Sequence, residues 1–298
     1  MCPDARVYIV LVNWNGWQDT IECLESLFRL EYPDYRVVVC DNGSTDDSIN
    51  QIVEWSGGGL VPTIESSGPM AGLTTPAVKK PVSFAIYDQA DAEQGGVLSS
   101  DHPMTIVEIG KNLGFAGGCN VAMRFVLARE DAAFVWLLNN DTLVEPQALK
   151  ALVARCQGDP TVGMCGSTLR YYDEPSIIQA QGGVQYNHWT GMFKNLGYRL
   201  QASQGLPEEL VADQLDYVYG ASMLVSVQFV RDIGLMNESY FLYFEELDWS
   251  VRSRGRYRMG YAKDSIVYHK EGASIGSKSS ADVEKQFRSE HFLIYNKL

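Results

Sequence analysis

Three groups of residues have the types and spacing for chemistry. Asn139-Asn140-Asp141 emerges from the wholly apolar run Phe134-Val135-Trp136-Leu137-Leu138. No Lys or Arg stands near that carboxylate in the chain, so its burial calls for a visiting cation. A divalent ion held by oxygen ligands and by substrate phosphates suits the position. Taken alone, Asp141 or Thr142 could equally cap the helix that Pro146 opens. Glu245-Glu246-Leu247-Asp248 follows the aromatic run Tyr240-Phe241-Leu242-Tyr243-Phe244. In a helix, Asp248 pairs with Arg252 one turn on, and Glu246, roughly 160° away around the axis, stays available. A carboxylate flanked by aromatics can have its pKa raised and act as a general base. A solvated acidic helix start fits the same composition. His269 closes the run Ser265-Ile266-Val267-Tyr268 and gains a role if Asp141 holds a metal that needs a second protein ligand.

The elements that must position these groups alternate between strand and helix. Residues 7–12 form a continuous apolar run of strand length, as expected of a central parallel strand covered on both faces. Trp17, Ile21, Leu24 and Phe28 recur at helical spacing, and Tyr32-Pro33 closes that helix. Residues 36–40 read as a second buried strand. Ser44-Thr45-Asp46-Asp47 predicts a capping box ahead of a helix with Ile49, Ile52, Val53 and Trp55 on one stripe. Strands over 105–109 and 134–138 flank a helix over 116–128, and Pro146 opens the next helix. This rhythm implies right-handed crossovers and a parallel sheet. It breaks between Ser56 and Pro103, where residues 57–103 read as a long surface insertion, a flap or a disordered segment, with a small edge strand over 82–87. Beyond residue 160 the pattern suggests loops and antiparallel strands. It includes a strand over 215–225 through Gly220, one or two strands over 257–269 and a terminal amphipathic helix over 281–298.

Ligands of a parallel α/β sheet bind beyond the carboxyl ends of its strands. Four polar clusters sit at such ends: Asn13-Trp14-Asn15-Gly16, Asp41-Asn42-Gly43-Ser44, 112–118 and Asn139-Asn140-Asp141. Each alone is turn and cap chemistry. Four along one edge favour a nucleotide-like ligand lying across the sheet. The glycines do not spell GxGxxG and the first turn has no glycine-rich phosphate cradle, which sets aside a dinucleotide site and a P-loop.

The 298 residues carry 24 Lys and Arg against 37 Asp and Glu, a formal charge of −13. That excess opposes nucleic-acid binding and a polybasic grip on anionic lipid. At 46% hydrophobic the chain can bury a large core. No apolar run reaches the ~20 residues that cross a bilayer, and the first residues lead straight into a strand without a signal-peptide pattern. The six cysteines form no CxxC pair, as expected of a reduced cytosolic chain.

The ordered set V-N-W-N-G, D-N-G-S-T-D, N-L-G-F-A-G-G-C-N, L-L-N-N-D, Y-F-E-E-L-D-W and Y-H-K-E-G-A-S resembles family 2 glycosyltransferases of the GT-A fold, nearest the rhamnosyltransferase-like branch. The resemblance spans roughly residues 6–275. It implies an α/β fold with a Rossmann-like, mostly parallel central sheet, helices on both faces and a smaller antiparallel acceptor-side region. Residues 1–160 would form the donor half and 161–298 the acceptor and catalytic-base half of one domain. Asn13 and Asn15 would edge the nucleotide site, Asp41 would contact base or ribose, and Asn112 with Gly114 to Asn120 would wall the donor. Asn139-Asn140-Asp141 takes the DxD position, with Asn in place of the first Asp. Asp141 and His269 would hold a divalent metal, Mg²⁺ or Mn²⁺. Glu246 falls at the catalytic base, with Glu245, Asp248 and Trp249 beside the acceptor or behind the base. The implied reaction is inverting transfer of a rhamnose-like or other hexose from a nucleotide-diphosphate donor to a saccharide or lipid-linked saccharide. A cytoplasmic protein is implied, with 281–298 in peripheral contact with the membrane. A catalytically silent glycan- or partner-binding module is the competing reading. A sugar-1-phosphate nucleotidyltransferase would need a basic loop at 13–16, which has no Lys or Arg.

Overall fold

The computed structural model describes residues 5–62, 70–187, 189–241 and 243–270. In chain order its elements are β1 (Val7–Asn13), α1 (Trp17–Leu27), β2 (Tyr35–Asp41), α2 (Ser48–Gly57), α3 (Ala71–Thr74), β3 (Phe84–Asp88), α4 (Gln89–Glu93), β4 (Met104–Glu108), α5 (Gly114–Arg129), β5 (Phe134–Asn139) and β6 (Thr142–Val144). They continue with α6 (Ala148–Gly158), β7 (Val162–Tyr171), β8 (Ile178–Gln181), β9 (Gly183–Tyr186), β10 (Phe193–Asn195), α7 (Glu208–Gln214), β11 (Tyr217–Val218), β12 (Ser222–Ser226), α8 (Val227–Ile233), α9 (Glu245–Ser253) and β13 (Arg258–His269).

The main sheet runs β3-β4-β2-β1-β5-β12-β7-β13-β6, with β8 on β7. Its first five strands are parallel. Antiparallel β12 joins β5 to β7, and β13 lies parallel to β7. Strands β9, β10 and β11 form a small antiparallel sheet of their own. This is the mixed α/β architecture expected from the alternating pattern.

Side chains alternate across a strand, so β1 sends Val7, Ile9 and Leu11 to one face and Tyr8 and Val10 to the other. The first face packs with Ile21 and Leu24 of α1, Ile52 and Trp55 of α2 and Leu149 and Leu152 of α6. The second packs with Val121 and Phe125 of α5, Phe229 of α8 and Trp249 of α9. Burial on both faces is why the strand reads as an unbroken apolar run. Trp136, at the centre of β5, is fully buried and donates its indole N–H to Ser222 Oγ at 2.9 Å. Trp136→Ala removes this packing and one of the two hydrogen bonds of the Ser222 hydroxyl, which keeps Ser167 Oγ at 2.7 Å. Chemical denaturation is expected to show a loss of about 3–5 kcal/mol.

Three expectations change. Ser44 does not cap α2: its hydroxyl is committed to Asp41 and Asn13, and the helix starts at Ser48, where Asp46 accepts from the Ser48 N–H at 3.1 Å. The strand expected over 215–225 is broken into β11 and β12 by a turn at 219–221. Most of the insertion at 57–103 is not a structureless loop. Its edge strand is β3, parallel to β4 from Phe84↔Met104 to Asp88↔Glu108, and Asp88 caps α4 by accepting from Asp91 N at 2.8 Å. Buried Glu25 of α1 anchors the segment. It accepts from Trp55 Nε1 at 2.8 Å and from Val78 N at 2.7 Å, and lies 3.4 Å from Lys80 Nζ, which sits over the Trp55 ring. Of the one or two strands expected over 257–269 there is one, the long β13, bulged between Ala262 and Ile266. The helix expected over 281–298 lies outside the described residues.

Candidate active site

The carboxyl ends of β4, β2, β1 and β5 lie side by side, with Asp41 level with both Asn13 and Glu108, and Asn139 level with Val12. The four polar clusters therefore share one edge. Their side chains interlock. Asn140 Nδ2 donates to Thr20 Oγ1 at 2.9 Å, Thr20 Oγ1 donates to Asn13 Oδ1 at 2.9 Å, and Asn13 Nδ2 donates to Asp41 Oδ1 at 2.8 Å. Asn13 is fully buried, so it shapes the floor rather than the surface. Asn15, held at a φ of +53°, accepts from Thr45 N at 2.7 Å and ties the first loop to the second. Asn42 accepts from Leu113 N at 3.0 Å and donates to Gly114 O at 3.1 Å, joining the second loop to α5. Gly43 needs its φ of +74° and its missing side chain, since a Cβ would strike the Lys111 backbone. Asn112 is exposed, and its Oδ1 accepts from Gly114 N at 2.9 Å. A cavity of about 220 Å³ opens beyond β2, lined by Asp41, Ser44, Asp46, Asp47 and Glu108 among others.

Asp141 follows β5, and the pairing of Thr142 with His269 draws the end of β13 to it. Asp141 is 2% exposed, and its Oδ1 lies 3.3 Å from His269 Nε2. Burial pushes the Asp141 carboxyl up, but the His269 imidazole and the Lys270 charge overcome this and hold it below the usual range. The Lys270 ammonium is itself gripped by Asp19 and Glu22, each at 2.5 Å. Asn139 Nδ2 stands 3.4 Å from His269 Nε2.

Glu246 enters from α9. The chain reaches it through two successive left-handed residues, Tyr243 at φ +74° and Phe244 at φ +67°. Such strain in bulky residues persists only where the surroundings enforce it. Here the N-terminus of α5 does so: Phe115 N donates to Phe241 O at 3.0 Å, and a Cβ on Gly114 would strike that carbonyl. Asn120 clamps Met236 through both its N–H and its carbonyl, at 3.1 and 2.9 Å. Asp248 pairs with Arg252 Nε at 2.8 Å as expected, while fully buried Trp249 donates to Gly234 O at 2.8 Å. Trp249 and Arg252, which donates to Ile233 O and Leu235 O at 2.9 Å each, fasten α9 to the 233–235 segment, and Asp248 steadies Arg252 from within the helix. Glu245 is buried as well. Glu246 is half-buried, and burial pushes its carboxyl up to about 7.

The turn at 219–221 brings the two chemistries together. Glu246 Oε1 rests against Gly220, in the space a Cβ there would fill. Next to it, Ala221 O accepts from Asn139 N at 3.0 Å, and the Tyr219 ring meets His269 edge-on at 6.5 Å. Glu246, Asn139 and His269 thus all touch one three-residue turn. Residue order alone reveals neither this turn nor the parts that Gln179 and Thr20 play. A glycine inside a strand pattern was the available signal for a close approach.

The model of glycosyl transferase family 2 matches residues 8–68 and 87–208. The chain belongs to this family. The family 2 match breaks at 69–86, inside the insertion that β3 occupies. The low-salt glycan biosynthesis hexosyltransferase Agl10 of Haloferax volcanii is 25% identical over 174 residues, 57% of this chain and 53% of its own length. The mannosyltransferase PcManGT of Pyrobaculum calidifontis, solved with GDP-Man and Mn²⁺, superposes with a TM-score of 0.57 at 14% identity over 99% of this chain and 64% of its own. TarS of S. aureus, solved with UDP-GlcNAc, superposes at 0.54 with 14% identity over 95% of this chain and 65% of its own. These likenesses show that the family 2 chain has the GT-A fold. It spans about half the length of Agl10 and under two thirds of either solved chain.

Proposed function

We propose that this chain transfers a hexose, rhamnose-like or other, from a nucleotide-diphosphate donor to a saccharide or lipid-linked saccharide, inverting the anomeric centre. The observation that carries this reading is the turn at 219–221, where Glu246 rests against Gly220 while Tyr219 meets His269 and Ala221 O accepts from Asn139 N. Asp41 and its cavity would receive the nucleoside, and Asn15 and Asn112 would border it. The acceptor oxygen attacks the anomeric carbon, its proton passes to Glu246, and the bond from that carbon to the diphosphate breaks. One displacement inverts the carbon and needs no covalent nucleophile.

Among the described residues no three His, Cys, Asp or Glu gather as a metal cluster. A buried carboxylate and an imidazole 3.3 Å apart nonetheless fit a Mg²⁺ or Mn²⁺ ion that takes its remaining ligands from donor phosphates and water. Asp141 and His269 would hold it, and when bound it supplies charge for the departing diphosphate. PcManGT's GDP-Man and Mn²⁺ support that reading. Among the described residues five buried free cysteines accord with a cytoplasmic, reducing location. Among the described residues no helix is long and apolar enough to cross a membrane. A peripheral contact through 281–298 belongs to the lipid-linked version of the acceptor.

Thermal melts with a panel of nucleotide sugars test the reading. One nucleoside diphosphate class is expected to raise Tm with Mn²⁺ and not with chelator, since a ligand of the folded state stabilises it. No shift with any donor would favour the silent binding module, the reading suggested by Asn139 in place of Asp.

A further inference from the structure

Gln179 has no part in the steps above, yet it touches the site from behind. It lies in β8, fully buried, with Oε1 3.0 Å from His269 Nδ1. An amide oxygen only accepts, so the proton of that bond sits on Nδ1. On the other side of the ring Asn139 offers its Nδ2, which only donates, to Nε2 at 3.4 Å. Both contacts favour Nδ1 as the protonated nitrogen, the form in which Nε2 can serve a cation. Asp141 Oδ1, 3.3 Å from Nε2, is an acceptor as well, so the space between the two calls for a proton or a cation.

The rest of β8 sharpens the contrast. Every residue of Ile178–Gln181 is buried, where an amide side chain costs stability unless both its ends are engaged. Gln181 meets that demand: Oε1 accepts from Leu206 N at 2.7 Å, and Nε2 donates to Tyr261 Oη at 2.9 Å and to Leu206 O at 3.1 Å. Gln179 does not. Its Nε2 is buried without a hydrogen-bond partner among the described residues. A leucine at 179 would serve the core better, so the carbonyl end of the amide is what the site uses.

We propose that Gln179 is a positioning residue: it fixes the His269 ring as the Nδ1–H tautomer and presents Nε2, beside Asp141, as a ligand for a divalent cation. This rests on the metal-dependent reading above and extends it to a residue that touches neither metal nor substrate. An outer partner of this kind typically sets metal affinity by 10–100-fold.

The test compares wild type, Gln179→Leu and Gln179→Glu by Mn²⁺ titration followed by electron paramagnetic resonance, with no nucleotide present. Q179L is expected to melt at or above the wild-type Tm in chelator and to bind Mn²⁺ about 10–100-fold more weakly. Q179E keeps an acceptor for Nδ1–H and is expected to bind within a few-fold of wild type. Long-range ¹H–¹⁵N spectra of the imidazole supply a reading free of metal: Nδ1 protonated in wild type, a mixture of tautomers in Q179L. Wild-type affinity in Q179L, or an equal loss in Q179E and Q179L, overturns the assignment while leaving metal dependence standing. Absence of Mn²⁺ binding by wild type overturns the metal-dependent reading and this assignment with it.

Discussion

Glu246→Gln is expected to lower kcat by about 10²–10⁴-fold while donor-induced thermal stabilisation stays near wild type. The amide keeps the shape that rests on Gly220 but cannot take a proton from an acceptor hydroxyl. Because burial pushes the carboxyl up to about 7, log kcat in the wild type should fall with unit slope as pH drops below that value. The surviving rate of E246Q should lose this limb. Stability carries the opposite sign. Between the ordinary value of 4.5 and about 7 the folded chain holds a proton on Glu246 that the unfolded chain has released. Folding stability from this group is therefore full below 4.5 and lost as pH rises through 7. E246Q should flatten that part of the pH–stability curve. An unchanged kcat, or an acid limb that persists in the variant, would remove Glu246 as the base.

Asp141→Asn is expected to lower kcat/KM by roughly 10³-fold and to abolish the metal-dependent part of donor binding. The substitution keeps the main-chain carbonyl that accepts from Lys270 N at 3.1 Å, so the end of β13 should stay in register. What it removes is the negative charge beside His269 Nε2. The decisive measurement is the thermal shift produced by nucleoside diphosphate with and without Mn²⁺: the metal-dependent increment should vanish while any metal-independent increment remains. A variant that retains the full increment would show that the ion, if used, is held elsewhere.

Much of this was readable from residue order. The apolar runs ending at Asn13, Asp41 and Asn139 announce strands covered on both faces, and polar residues at their ends announce a binding edge. The Asp248–Arg252 pair followed from helical spacing. What escaped reading were contacts between residues far apart in the chain. Ser44 has the composition of a cap, but the carboxylate at 41 and the amide at 13 compete for its hydroxyl and win. Gly220 is a weak interruption in an apolar run until Glu246, from another element, is seen to fill the space beside it. Gln179 looks misplaced among buried neighbours, and only the ring of His269, 90 residues on, explains its oxygen. The insertion seemed loose because half-exposed β3 has little periodicity. Its anchor is Glu25, a buried charge that no local pattern reveals.

The bonds running from Asn140 through Thr20 and Asn13 to Asp41 make the two ends of the cleft mechanically one piece. An exchange at either end must be absorbed by the other three partners, because each donates or accepts in one direction along the line. Homologous positions here should therefore drift in concert or not at all, and a chimera that swaps β1 without α1 would misalign the Asp41 end and the Asn140 end together.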